Sequence, residues 1–111
     1  MKLALAFLFA ASLVLAADIT GTWKGSVVLD AGSGNPTFDF KQDGEKLSGT
    51  YHGQFGDAPL NGTVKGKSVE FSFTVQGLVA SYNGTLDGET AVKGTADYGA
   101  AGKGTFTIAK N

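Results

Sequence analysis

One histidine, no cysteine and no arginine restrict the chemistry open to this chain of 111 residues. A metal centre at His52 needs at least two more ligands from elsewhere. Strand alternation turns His52 outward between Thr50 and Gln54, so its expected state is an ordinary surface side chain. Ser48 and Asp39 are the residues that could approach it as nucleophile and orienting carboxylate, but nothing nearby resembles a nucleophile elbow. A carboxylate pair for glycoside cleavage would have to come from Asp39, Asp57, Glu70, Asp87 or Asp97. All five fall on outward or turn positions, where water solvates the charge. The run Asp30-Ala31-Gly32-Ser33-Gly34-Asn35 offers oxygens on alternate residues like a calcium loop, yet lacks the closing bidentate glutamate. It reads as a flexible loop whose glycines suit a lid. No catalytic residue, metal ligand or cofactor site is therefore assigned, and an enzyme is not expected.

The elements that position these residues announce themselves through a recurring Gly-Thr-apolar triplet. It occurs at Gly21-Thr22-Trp23, Gly49-Thr50-Tyr51, Gly62-Thr63-Val64, Gly84-Thr85-Leu86, Gly94-Thr95-Ala96 and Gly104-Thr105-Phe106. The spacings of 28, 13, 22, 10 and 10 residues are too irregular for a solenoid but fit a meander whose longer gaps hold one more strand. Eight strands result. Period-two alternation gives each an inner face: Ile19, Trp23, Val27 and Leu29; Phe38 and Phe40; Leu47, Tyr51 and Phe55; Leu60 and Val64; then Val69, Phe71, Phe73 and Val75; Leu78, Ala80, Tyr82 and Leu86; Val92, Ala96 and Tyr98; Phe106 and Ile108. No charged residue falls inside. Short connections favour antiparallel neighbours in simple order, and eight such strands close into an up-and-down barrel; a two-sheet β-sandwich is the alternative.

Composition agrees with an all-β chain. All 17 glycines lie after residue 17, and charged residues make up 17% of the sequence. Met1-Lys2 followed by the apolar run Leu3 to Ala17 has the form of a secretory signal peptide, which leaves residues 18–111 as a single domain exported to the periplasm or the medium. Cleavage after Ala16 or Ala17 fits the small residues there, and no membrane attachment is expected once the leader is gone. Loss of Lys2 takes the formal net charge from −1 to −2. Without arginine or a clustered basic face, nucleic acid is not an expected partner. Asn61-Gly62-Thr63 and Asn83-Gly84-Thr85 match the glycosylation sequon, which the Gly-Thr repeat itself generates.

Ile19-Thr20-Gly21-Thr22-Trp23, opening an eight-strand meander, resembles the first strand of the calycin superfamily of lipocalins, avidins and fatty-acid-binding proteins. Leu47-Ser48-Gly49-Thr50-Tyr51 is similar to the corresponding avidin strand. The resemblance implies an up-and-down barrel plugged at one end by Trp23, with Lys110 standing where lipocalins place an arginine over that tryptophan, and a small apolar ligand inside. It also implies limits: Trp23 is the only tryptophan, so the stacked tryptophans of avidins have no counterpart. Over residues 19–110 the chain further resembles small secreted bacterial Gly-Thr-Trp modules, in its opening Gly-Thr-Trp, its middle Phe40 to Thr50 stretch and its terminal Gly-Thr-Phe. Similar segments follow exported hydrolases, which implies an accessory or binding role.

Two functional expectations follow. One is an exported, non-enzymatic barrel packed inside, which contacts an envelope or extracellular partner as a binding, accessory or structural module. The other is a carrier of a small apolar ligand in a cavity lined by Trp23, Phe38, Phe40, Tyr51, Phe71, Phe73, Tyr82 and Phe106, with tyrosine hydroxyls orienting the ligand.

Overall fold

Residues 18–111 are described by a computed structural model; the proposed leader, residues 1–17, lies outside the described residues. Inward apolar residues alternating with outward polar ones, cut by glycine-bearing turns, give nine strands: β1 (Gly21–Leu29), β2 (Gly32–Gly34), β3 (Thr37–Asp43), β4 (Lys46–Gly53), β5 (Gly56–Lys65), β6 (Ser68–Val75), β7 (Leu78–Asp87), β8 (Ala91–Asp97) and β9 (Lys103–Lys110). A single 3-10 turn, Gly99–Ala101, is the only helical element among the described residues. Among the two-residue connections, Gln76-Gly77 has positive φ at both residues (49° and 79°), the turn geometry that matches strand twist.

Neighbours are antiparallel and in chain order from β3 to β9. β1 pairs with β3 on one side over Gly21–Lys24 and with β9 on the other over Trp23–Leu29, from Trp23↔Lys110 to Leu29↔Gly104. This double pairing closes an eight-stranded barrel and removes the sandwich alternative. The segment 30–35 departs from its expected state as a flexible loop, because Gly32–Gly34 folds back as β2 on Val27–Leu29. The upper half of β1 has left β3 to run along β9, and β2 satisfies the edge it vacates. β5 also starts earlier than the sequence pattern indicates, adding Ala58 to the core.

The inner face matches the alternation closely. All buried residues are apolar or tyrosine, and no polar or charged side chain is buried among the described residues. Gly62 lets β5 and β6 meet: a Cβ there would lie 1.9 Å from the Glu70 carbonyl oxygen and 2.6 Å from the Phe71 Cα. The floor of the barrel is fixed by Trp23, whose Nε1–H donates to the Ile19 carbonyl at 2.8 Å. The Gln42 side chain accepts from the Ile19 amide at 2.8 Å and donates to the Gly44 carbonyl at 2.9 Å. The Lys110 side chain lies over Gly21, beside Trp23 in the closing seam.

Candidate functional site

All eight expected lining residues point inward and are brought together. Trp23, Phe38, Phe40, Tyr51, Phe71, Phe73, Tyr82 and Phe106 are each no more than 4% exposed. Their rings touch one another across the lumen. Phe38 on β3 meets Phe71 on β6 at 4.9 Å and Tyr82 on β7 at 5.3 Å between centroids, both edge to face. Phe40 reaches Phe71 at 5.1 Å, and Tyr82 reaches Phe106 on β9 at 4.8 Å. Edge-to-face and offset pairs at these separations are the favoured aromatic geometries. Rings from opposite walls in mutual contact fill the middle of the barrel with its own side chains.

Above this layer the interior turns polar at one spot. The Tyr82 and Tyr98 hydroxyls are 2.5 Å apart, and the Tyr51 hydroxyl is close to both Tyr98 and the Phe55 backbone. Burial raises the pKa of all three phenols, Tyr98 to about 12, so each remains protonated at neutral pH and can donate a hydrogen bond. Tyr98 was legible as an inner residue but not as part of the site. Phe55, at the tip of the β4–β5 hairpin, was expected inside and is only half buried; its ring lies 5.9 Å from that of Tyr98. The Gln76 side chain holds the tip by donating to the Phe55 carbonyl at 3.2 Å.

The two poles of the barrel differ in charge. The floor turns carry Asp43, Glu45 and Lys46, then Lys65 and Lys67, then Asp87 and Glu89. At the mouth, the turns 54–55 and 76–77 carry no charged side chain, and the charges there are fewer: Asp30, Asp97 and Lys103, beside the ends of β1, β8 and β9. Leu29, Phe55, Leu78 and Ala101 stand half buried around that opening, and Val28 and Val79 beside them are 55% and 59% exposed. This asymmetry lies in residues that are unremarkable one by one; only the alternation of up and down strands sorts them to opposite ends.

On the outer wall, His52 is more engaged than an ordinary surface histidine. Its Nε2 faces Asp39 Oδ2 and its Nδ1 faces Asp57 Oδ1, each at 3.0 Å, while the Thr22 hydroxyl donates to Asp39 Oδ1 at 2.9 Å. The chain of contacts spans β1, β3, β4 and β5. Asp57, followed by Asp39, raises the His52 pKa, whereas Thr22, followed by His52, lowers that of Asp39. A carboxylate on each ring nitrogen favours the imidazolium more than in a free histidine, because both nitrogens then donate. Ser48 does not join; its hydroxyl turns to the Lys41 carbonyl at 3.5 Å. Asp57 was not paired with His52 from sequence, since the His52↔Asp57 register depends on the two-residue turn at 54–55.

No family model matches the chain, and no curated protein matches it. Among solved structures, it is similar to a redesigned beta barrel, mFAP0, bound to DFHBI, with a TM-score of 0.64 and 17% identity, covering 84% of this chain and 98% of that one. A second redesigned barrel, mFAP1, also bound to DFHBI, gives a TM-score of 0.62 at 17% identity over 84% of this chain and 94% of that one. At this identity the likeness establishes the fold: a closed, antiparallel, up-and-down eight-stranded barrel with one additional short strand.

Proposed function

We propose that this chain is an exported, non-enzymatic binding barrel of calycin type whose shaft is filled by its own side chains, so that whatever it binds is taken at the outer wall or the mouth. The observation that carries this reading is the contact of Phe38 with Phe71 and Tyr82 across the lumen. A ligand seated at that level would have to displace rings that each bury about 150–250 Å². Export rests on the apolar run Leu3 to Ala17, and the non-enzymatic part on His52, Asp39 and Asp57, which stand outward and pair with one another.

The carrier reading has its own support in the hydroxyl cluster of Tyr51, Tyr82 and Tyr98 and in neighbouring barrels whose structures hold DFHBI. Native mass spectrometry of the mature protein, secreted and purified from its own host, separates the two. Bare protein at the calculated mass supports a packed barrel with a surface partner. A small-molecule mass that is lost on unfolding establishes the carrier.

A further inference from the structure

The mouth combines three features that the packed shaft does not explain. The first is chemical. In an interior otherwise apolar above the Trp23 indole, the Tyr82 and Tyr98 hydroxyls meet just below the opening, with that of Tyr51 nearby. The Tyr82–Tyr98 contact satisfies part of their capacity, and a hydroxyl carries one donor and two acceptor sites, so the cluster retains capacity for a further oxygen. Packing alone is served as well by phenylalanine, which occupies the rest of this layer at Phe71, Phe73 and Phe106.

The second feature is a removable cover. Phe55 is the one aromatic residue after the leader that is not fully buried. It sits in the sequence Gly53-Gln54-Phe55-Gly56 and lies against Tyr98. Gly56 has φ +107°, and no atom lies within 4 Å of where its Cβ would be; at Gly53 the Tyr51 hydroxyl occupies the place of a side chain. The two-residue tip thus extends beyond the Gly53↔Gly56 rung of the β4–β5 ladder, and one long-range side-chain bond, from Gln76, reaches it. The third feature is the uncharged pair of turns at 54–55 and 76–77, past which an apolar molecule reaches the opening without desolvating an ion.

From these we infer that the seat of the Phe55 ring is a ligand subsite, which takes a small flat aromatic molecule bearing an oxygen: its ring replaces that of Phe55 against Tyr98, and its oxygen hydrogen-bonds to the tyrosine hydroxyls. The size class follows from the exchange of one ring for another. The requirement for an oxygen follows from the clustered hydroxyls, of whose donors the Tyr82–Tyr98 contact uses one. The inference rests on the carrier reading above and places the ligand at the mouth rather than in the shaft.

The test uses the full mature chain with 2-naphthol and naphthalene as probes, a pair that differs by one hydroxyl. Fluorescence titrations are made with the parent, Phe55→Ala, and the double variant Phe55→Ala/Tyr98→Phe, each checked for cooperative thermal unfolding. The expected result is at least tenfold tighter 2-naphthol binding by Phe55→Ala than by the parent. In that variant, naphthalene binds at least fivefold more weakly than 2-naphthol, and adding Tyr98→Phe removes the difference. Equal affinity of parent and Phe55→Ala overturns the inference, as does a preference for 2-naphthol that survives Tyr98→Phe. A dimer of the parent that Phe55→Ala dissociates in sedimentation overturns it too, because the rim then serves a second copy. If a small molecule co-purifies from the host and its retention ignores Phe55 and Tyr98, the carrier reading stands and only its placement fails. If no molecule co-purifies and neither probe binds any variant, both fail.

Discussion

Replacing Phe71 with alanine tests whether the lumen is filled. Phe71 is 3% exposed and stands at the centre of the ring layer, stacked with Tyr82 at 4.9 Å and edge to face with Phe38 at 4.9 Å, Phe40 at 5.1 Å and Phe106 at 6.4 Å. Truncating a buried phenylalanine costs about 3–5 kcal/mol, with the upper part of the range belonging to sites that cannot collapse. This site resists collapse because its walls are a hydrogen-bonded cylinder closed by β1 and β9. The expected loss is about 4 kcal/mol, which in a domain of this size lowers Tm by roughly 16–32 °C. Equilibrium urea unfolding followed through Trp23, the only tryptophan, measures it in both proteins. Phe55→Ala is the internal comparison: it removes a half-exposed ring from the rim and should cost less than about 1.5 kcal/mol. A loss below about 2 kcal/mol for Phe71→Ala, with cooperativity intact, would mean that the ring borders an existing void, and the packed-shaft reading would be refuted.

Three further outcomes are expected. The folded His52 pKa is raised above its ordinary 6.5, so its stabilising contribution is full below that pH and is lost as pH rises through the folded value. Thermal melts across this interval should show the parent losing its small advantage over His52→Gln on the alkaline side, modestly because the group is exposed. Gly62→Ala drives a methyl group onto the Glu70 carbonyl and the Phe71 Cα, and a loss of about 3 kcal/mol in urea unfolding is expected from overpacking against backbone. Trp23→Phe leaves the Ile19 carbonyl without its indole donor; roughly 2 kcal/mol should be lost, with faster hydrogen exchange at Trp23, Phe40 and Lys110 around the floor.

Much of this architecture is written into the side chains singly. Phe71, Phe73 and Val75 alternate with Glu70, Ser72 and Thr74, and a period of two has only one way to place them around a buried face. What escaped sequence reading depends on pairing between segments. Gly32-Ser33-Gly34 has no intrinsic preference for a strand, and becomes one only because β1 leaves β3 and exposes an edge. The His52–Asp57 contact needs a turn length that no residue of the pair encodes. The meeting of Tyr51, Tyr82 and Tyr98 needs the stagger of three strands around a closed circle. In each case the residue type was visible and its neighbour was not.

Closure has a kinetic side. Around the barrel, adjacent strands are also close in sequence at every seam but one, where β9 pairs with β1 through partners roughly 80 residues apart, such as Val27 and Phe106. A hairpin seam closes a loop of about 5 residues, so this seam lies four doublings of length further along, or about 2.4 kcal/mol more in chain entropy. It becomes favourable once the intervening strands have curled the sheet and brought its two edges together. Substitutions along Ser26–Leu29 or Gly104–Thr107 should therefore accelerate unfolding more than they slow folding, which makes the β1–β9 seam the latch that sets how long a barrel, once made, stays shut.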